Sequence, residues 1–217
     1  MYLTRMELDV NKRDTRKALI SPNLLHGAIE SSFPGERERR LWRIDKFQGR
    51  YDLLLLSARI PELTKMVKQF GKEEGGPPWQ TKSYDTLLER IHSNRIWQFR
   101  LTANPTKSVK SAENEKRGAV HAHITPEHQT QWLLDRCEAH GFFVDPEEVV
   151  VISSQWQRFY KGNERKHPIT LLSVTFDGIL TVTDEVRFRQ TLVEGIGRGK
   201  AFGQGMLTVM GLGTAHG

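Results

Sequence analysis

Apolar and polar positions alternate through Tyr2-Leu3-Thr4-Arg5-Met6-Glu7-Leu8, the period of a strand with one covered face. A basic helical stretch is expected from Lys12. A fresh helix should start at Ser21-Pro22, where serine can cap and proline suits the first helical position. Leu25, Ala28, Ile29 and Phe33 then fall on one apolar stripe. Strands are expected around 41–47 and 51–60, the second carrying the unbroken run Leu53-Leu54-Leu55-Leu56. A helix from Pro61 to about Phe70 should end at Gly71, and 71–84, with Gly75-Gly76-Pro77-Pro78, reads as loop or linker.

The second half repeats the order. A strand is expected over 95–104, with Ile96, Gln98, Phe99 and Leu101, followed by an irregular basic stretch. A helix over 126–140 stops at Gly141; strands cover 149–160 and 169–183 around a basic turn; a short helix covers 184–193; a last strand covers 206–211. Each half is therefore strand-helix-strand-strand-helix-strand, with the closing strand of the first half poorly marked. That order predicts an α+β chain of two tandem ferredoxin-like (βαββαβ) domains with antiparallel sheets, divided into 1–92 and 93–217.

Composition narrows the partners. Lys and Arg number 32 against 26 Asp and Glu, a formal charge of +6 with pI near 9.5, which favours a polyanion. The single cysteine, Cys137, excludes an internal disulfide and a Cys-rich zinc site, and reads as a small core residue on a helix. No apolar run approaches the roughly 20 residues that span a bilayer, so no membrane partner and a cytoplasmic location are expected. The run Arg37, Arg39, Arg40 and Arg43, interspersed with Glu36 and Glu38, reads as mixed solvated surface.

The stretch Gly195-Ile196-Gly197-Arg198-Gly199-Lys200-Ala201-Phe202-Gly203-Gln204-Gly205 fails the spacing of both a dinucleotide fingerprint and a Walker loop. Two readings remain, a run of backbone N–H donors with two cations suited to a phosphate backbone, or a tight connection from helix to last strand. This run is similar to the C-terminal glycine-rich signature of the repeat-associated RNA-binding superfamily of CRISPR proteins. With the doubled order, the opening Met1-Tyr2-Leu3-Thr4, a histidine in the first long helix, and the segment Phe99-Arg100-Leu101-Thr102-Ala103-Asn104-Pro105-Thr106-Lys107, nearly the whole chain resembles the CasE family. CasE is the guide-RNA-processing subunit of type I-E Cascade. The resemblance implies a metal-independent endoribonuclease that cuts the CRISPR repeat stem-loop in precursor crRNA. It implies no cofactor, retention of the product hairpin, and contact with the Cascade backbone subunit.

RNA cleavage needs no external nucleophile, because the 2′-hydroxyl can attack the adjacent phosphorus; histidine, with a pKa near 6.5, suits either proton transfer. Among eight histidines, His26 sits on the flank of the apolar stripe, with Asn23 and Glu30 on its face. The residues alone leave open a surface histidine on an amphipathic helix. The resemblance implies that His26 is catalytic. Some relatives carry tyrosine where this chain has Asn23, an amide that can orient a phosphate but carries protons poorly.

Lys12, Arg13, Arg16 and Lys17 form a cationic segment suited to phosphates. The segment 157–166 reads as a hairpin turning at Gly162-Asn163, and the resemblance implies that such a hairpin grips the stem through Arg158, Lys161, Arg165 and Lys166. Charges on a soluble edge are the bland reading of the same hairpin. Arg198 and Lys200 are the RNA candidates of the glycine-rich run, and Lys107, Lys110, Lys116 and Arg117 form a further basic patch. A metal reading on His121, His123 and His128, with Glu127 nearby, lacks a convergent third ligand in a polar loop, so no metal site is expected. A non-catalytic RNA-binding subunit remains the alternative from another functional class.

Overall fold

The computed structural model describes residues 1–35, 38–109, 119–160 and 168–212. The first half runs β1 (Tyr2–Leu8), α1 (Arg13–Ile20), α2 (Asn23–Ser31), β2 (Leu41–Phe47), β3 (Arg50–Ser57), α3 (Thr64–Phe70), β4 (Gln80–Ser83) and α4 (Asp85–Leu88). Its antiparallel sheet has the order β2-β3-β1-β4. Thr4, Met6 and Leu8 of β1 are buried, as the alternation predicted.

The leucine run in β3 does not alternate because both faces of the strand are covered. Leu53 and Leu55 pack with the helices of the first half, whereas Leu56 and Leu54 pack with the core of the second. β4 occupies part of the stretch expected to be a loop. It is the polar edge strand Gln-Thr-Lys-Ser, paired with β1 from Tyr2↔Ser83 to Arg5↔Gln80, and it carries no apolar period to betray it. Ser21 does not cap α2; the helix enters through Pro22, itself in helical conformation.

The second half runs β5 (Ile96–Ala103), β6 (Thr106–Val109), β7 (Ala119–Ala122), α5 (Pro126–Cys137), β8 (Phe142–Phe143), β9 (Val149–Tyr160), β10 (Pro168–Val182), α6 (Glu185–Glu194) and β11 (Met206–Gly211). β10 lies between β5 and β9, and β11 pairs with β5, so the strands repeat the order of the first sheet. Both halves are thus ferredoxin-like and antiparallel. Three short strands were not anticipated. β6 and β7 form a ribbon inside the expected irregular basic stretch, and β8 pairs with the end of β10 at Thr181 and Val182, past the residues that β9 covers.

Thr125 caps α5, which tightens into a 3-10 turn at Glu138–His140 and stops at Gly141 in left-handed conformation (φ 76°). A Cβ at Gly141 would lie 2.5 Å from Asp184 O, so glycine is demanded by both conformation and space. Cys137 ends α5 buried, with its thiol pushed up to about 12 by burial. It is an inert core residue.

Arg43 ties the halves together, against the expectation of a solvated surface. The residue is 2% exposed. Nη1 donates to Arg100 O (3.0 Å) and Met206 O (2.9 Å), Nη2 to Thr208 Oγ1 (2.9 Å) and Asp45, and Nε to Asp45 Oδ1 (2.7 Å). Arg40 is also buried, pairing with Glu30 and lying 4.1 Å from the centroid of the Phe33 ring. Arg37 lies outside the described residues. Among the described residues no helix is long and apolar enough to cross a membrane.

Candidate functional site

The corner between α1 and α2 meets the second half. Leu25 and Ile29 are fully buried and Phe33 nearly so, which turns the neighbouring His26 partly outward. Gly27 beside it leaves open space where any side chain would stand. Among the described residues, no side-chain hydrogen bond engages the His26 imidazole. Asn23, one turn earlier, has a buried Oδ1 without a hydrogen-bond partner. Glu30, on the same face, accepts from Arg40 Nη1 at 3.1 Å.

The glycine-rich run faces this corner. Gly199 and Gly203, both left-handed, bracket a 3-10 turn at Lys200–Phe202 that packs on α2. A Cβ at Gly203 would lie 2.9 Å from Trp42 Cζ3, and one at Gly195 would lie 2.6 Å from Gly205 O. Phe202 meets Phe159 of β9 edge-on, at 5.0 Å between centroids. Here the glycines serve close packing, so the tight-connection reading accounts for Gly195 and Gly203.

Between the α1–α2 corner and the open face of the second sheet lies a cleft of about 70 Å3 that includes Pro22, Trp42, Gln157 and Gln204. Trp42 Nε1 and Gln157 Oε1 are buried there without partners, whereas Gln204 Nε2 donates to Ser173 Oγ and Phe202 O. Buried polar atoms without partners are uncommon. Here two of them share a cleft with Pro22, the residue before Asn23. Sequence reasoning missed Trp42 and Gln157, because β2 and β9 carry no motif around them.

The predicted cations separate into distinct roles. Lys12 Nζ donates to Val67 O and Lys68 O and pairs with Glu73 Oε1 at 2.6 Å, so it finishes α3 and is not free for phosphate. Arg16 Nη1 donates to Val10 O and Asn11 O, bracing the turn before α1. Arg13 is exposed, and Lys17 is exposed with Asp14 at 3.8 Å. On β9, Arg158 and Tyr160 share one face and are exposed, with Phe159 buried on the other. Lys161, the turn at Gly162-Asn163, Arg165 and Lys166 lie outside the described residues, as do Lys110, Lys116 and Arg117. Arg198 is exposed. Lys200 is half-buried, donates to Gly197 O at 3.0 Å, and titrates below an ordinary lysine because of burial and then Arg39.

The rings of His123 and His128 are tilted with centroids 6.0 Å apart, and His128 Nδ1 lies 3.2 Å from Thr125 Oγ1. Burial and then Lys107 lower the His123 pKa. Among the described residues, no three His, Cys, Asp or Glu side chains converge as a metal site.

A family model described as CRISPR associated protein matches residues 1–210. Over 220 residues the chain is 30% identical to the CRISPR-associated endoribonuclease Cse3 of Thermus thermophilus, covering 96% of this chain and 99% of that one. The chain belongs to the CasE (Cse3) family. Among solved structures, Cse3 bound to a 19-nucleotide RNA matches with TM-score 0.78 and 26% identity, covering 97% of this chain and all of that one. Thermus thermophilus Cse3 bound to an RNA representing a pre-cleavage complex matches with TM-score 0.77 and 26% identity, over 96% and 98% of the two chains. Membership in the CasE family accords with the doubled ferredoxin-like fold.

Proposed function

We propose that this protein is a metal-independent endoribonuclease that cleaves the CRISPR repeat stem-loop of precursor crRNA and keeps the product hairpin as a subunit of Cascade, working in the cytoplasm. The observation that carries the reading is the His26 imidazole, partly exposed and without a side-chain hydrogen bond among the described residues, at a corner lined by unpartnered polar atoms. In the reaction the ribose 2′-oxygen forms a bond to phosphorus, the bond to the 5′-oxygen breaks, and His26 moves a proton at one of those oxygens. The products are a 5′-hydroxyl and a 2′,3′-cyclic phosphate, which can open to a 3′-phosphate.

Asn23 Nδ2 donates to a phosphate oxygen and sets the in-line geometry, and positioning supplies much of the rate. Among the described residues Arg13, Arg158 and Arg198 have no side-chain partner and Lys17 has only Asp14 at 3.8 Å, so these four can hold backbone phosphates, with Lys200 close by in the glycine-rich turn. We also divide the chain near 92/93, where α4 hands over to the second sheet.

Labelled repeat RNA incubated with the protein in EDTA tests the reading. It should be cut once, leaving a 5′-hydroxyl, with the hairpin product co-eluting with the protein. Tight, salt-sensitive binding with the RNA intact would instead make the protein a non-catalytic cap and overturn the assignment.

A further inference from the structure

A second cavity, of about 300 Å3, opens on the other flank of the glycine-rich run, where Thr106 and Ser108 of β6, Trp132 and Arg136 of α5, and Gly197 and Arg198 converge. Arg136 is oriented before any ligand arrives. Its guanidinium lies 4.2 Å from the centroid of the Trp132 ring, and Nη1 donates to Trp132 O at 2.7 Å. Trp132 is itself clamped, stacked against Phe176 at 6.5 Å. Gly197, left-handed at φ 77°, packs against the indole so closely that a Cβ would lie 3.1 Å from Cζ2.

Among the described residues, the remaining N–H groups of Arg136 have no partner, and neither does the exposed Arg198 side chain. Among the described residues, no carboxylate lies within ion-pair distance of either guanidinium. Asp135, beside Arg136 in the helix, is engaged by Gln131 Nε2 at 2.7 Å. Elsewhere the built-in arginines are matched, as Arg43 is with Asp45 and Arg100 with Asp177. Partial burial also weighs against an unaccompanied charge on Arg136.

We propose that this cavity is a second RNA-phosphate subsite, in which the Arg136 fork, the Arg198 guanidinium and the Thr106 and Ser108 hydroxyls grip one backbone phosphate away from the His26 corner. A planar fork plus hydroxyl donors suits a tetrahedral anion with several acceptor oxygens. Arg198 stands two residues before Lys200, whose 3-10 turn packs on α2, so RNA held at the His26 corner can continue along the glycine-rich run. The subsite rests on the RNA-processing reading and extends it.

The test is the salt dependence of binding to labelled repeat RNA, measured for the wild type, Arg136→Ala, Arg136→Lys and Arg198→Ala, with Arg187→Ala as an exposed control. Losing one phosphate contact should lower the slope of log K against log salt by about 0.7 to 0.9. Affinity should fall about tenfold for Arg136→Ala and for Arg198→Ala, whose exposed side chain can be removed without disturbing the core. Arg136→Lys should recover part of the affinity, and Arg187→Ala should keep both slope and affinity. Unchanged slopes in both alanine variants would overturn the subsite, whatever happens to thermal stability. The wild type's cutting of the same RNA is scored separately. Binding with the predicted slope but no cleavage would sink the nuclease reading and leave the subsite standing.

Discussion

His140 shows how a single titrating group couples this fold to pH. Its Nδ1 lies 2.9 Å from Thr191 Oγ1, and burial, followed by Lys200 and Arg136, lowers its pKa below the ordinary 6.5. The folded state therefore refuses a proton that the unfolded chain accepts, so stability is full above about 6.5 and is lost as pH falls through and below it. His123 acts in the same direction. Thermal midpoints should drop between about pH 7.5 and 5.5, and His140→Gln should flatten that dependence. A variant profile as steep as the wild type's would refute the assignment. At the same scale, the proposed role of His26 comes only from the likeness to the CasE family, since periodicity puts it merely on the flank of a stripe. Lys12 and Arg16 looked like phosphate ligands because sequence shows charge but not the carbonyls those charges satisfy.

Among the elements, the glycine-rich run connects packing to chemistry. Gly203 combines a left-handed φ of 77° with 2.9 Å of clearance between a hypothetical Cβ and Trp42, while the neighbouring 3-10 turn packs on the helix of His26. Gly203→Ala should cost about 1–3 kcal/mol, measured by urea unfolding, from backbone strain and overpacking together. Because the turn would shift against α2, single-turnover cleavage should slow more than RNA binding weakens. Equal losses in both would mean that the turn only holds RNA. The long elements were readable because their apolar periods are strong, and β11 has the boundaries expected for it. β4 and the β6–β7 ribbon were not, because short exposed strands have no covered face to impose a period.

For the whole molecule, the duplication was readable from element order, but the seam between the halves was not. Leu41, Leu56, Tyr84 and Ile91 of the first half belong to the core of the second, and Arg43 spans the boundary. An arginine close after the charged run 36–40 looks solvated until a second sheet covers it. Arg43→Met should destabilise the protein by about 3–5 kcal/mol in urea unfolding, because Asp45 loses its partner and two carbonyls lose a donor. A loss below about 1 kcal/mol would show that water replaces the guanidinium at no great cost. The seam gives the α1–α2 corner its second wall, the setting that the proposed mechanism requires for His26.

The most direct measurement is single-turnover cleavage of labelled repeat stem-loop RNA in EDTA by the wild type and by His26→Ala. The wild type should yield a 5′-hydroxyl and a 2′,3′-cyclic phosphate. The variant should be slower by about 100-fold or more, the range for a lost general acid or base, while binding RNA as tightly. His26→Ala cutting at the wild-type rate, or a wild type that stops in chelator, would contradict the account.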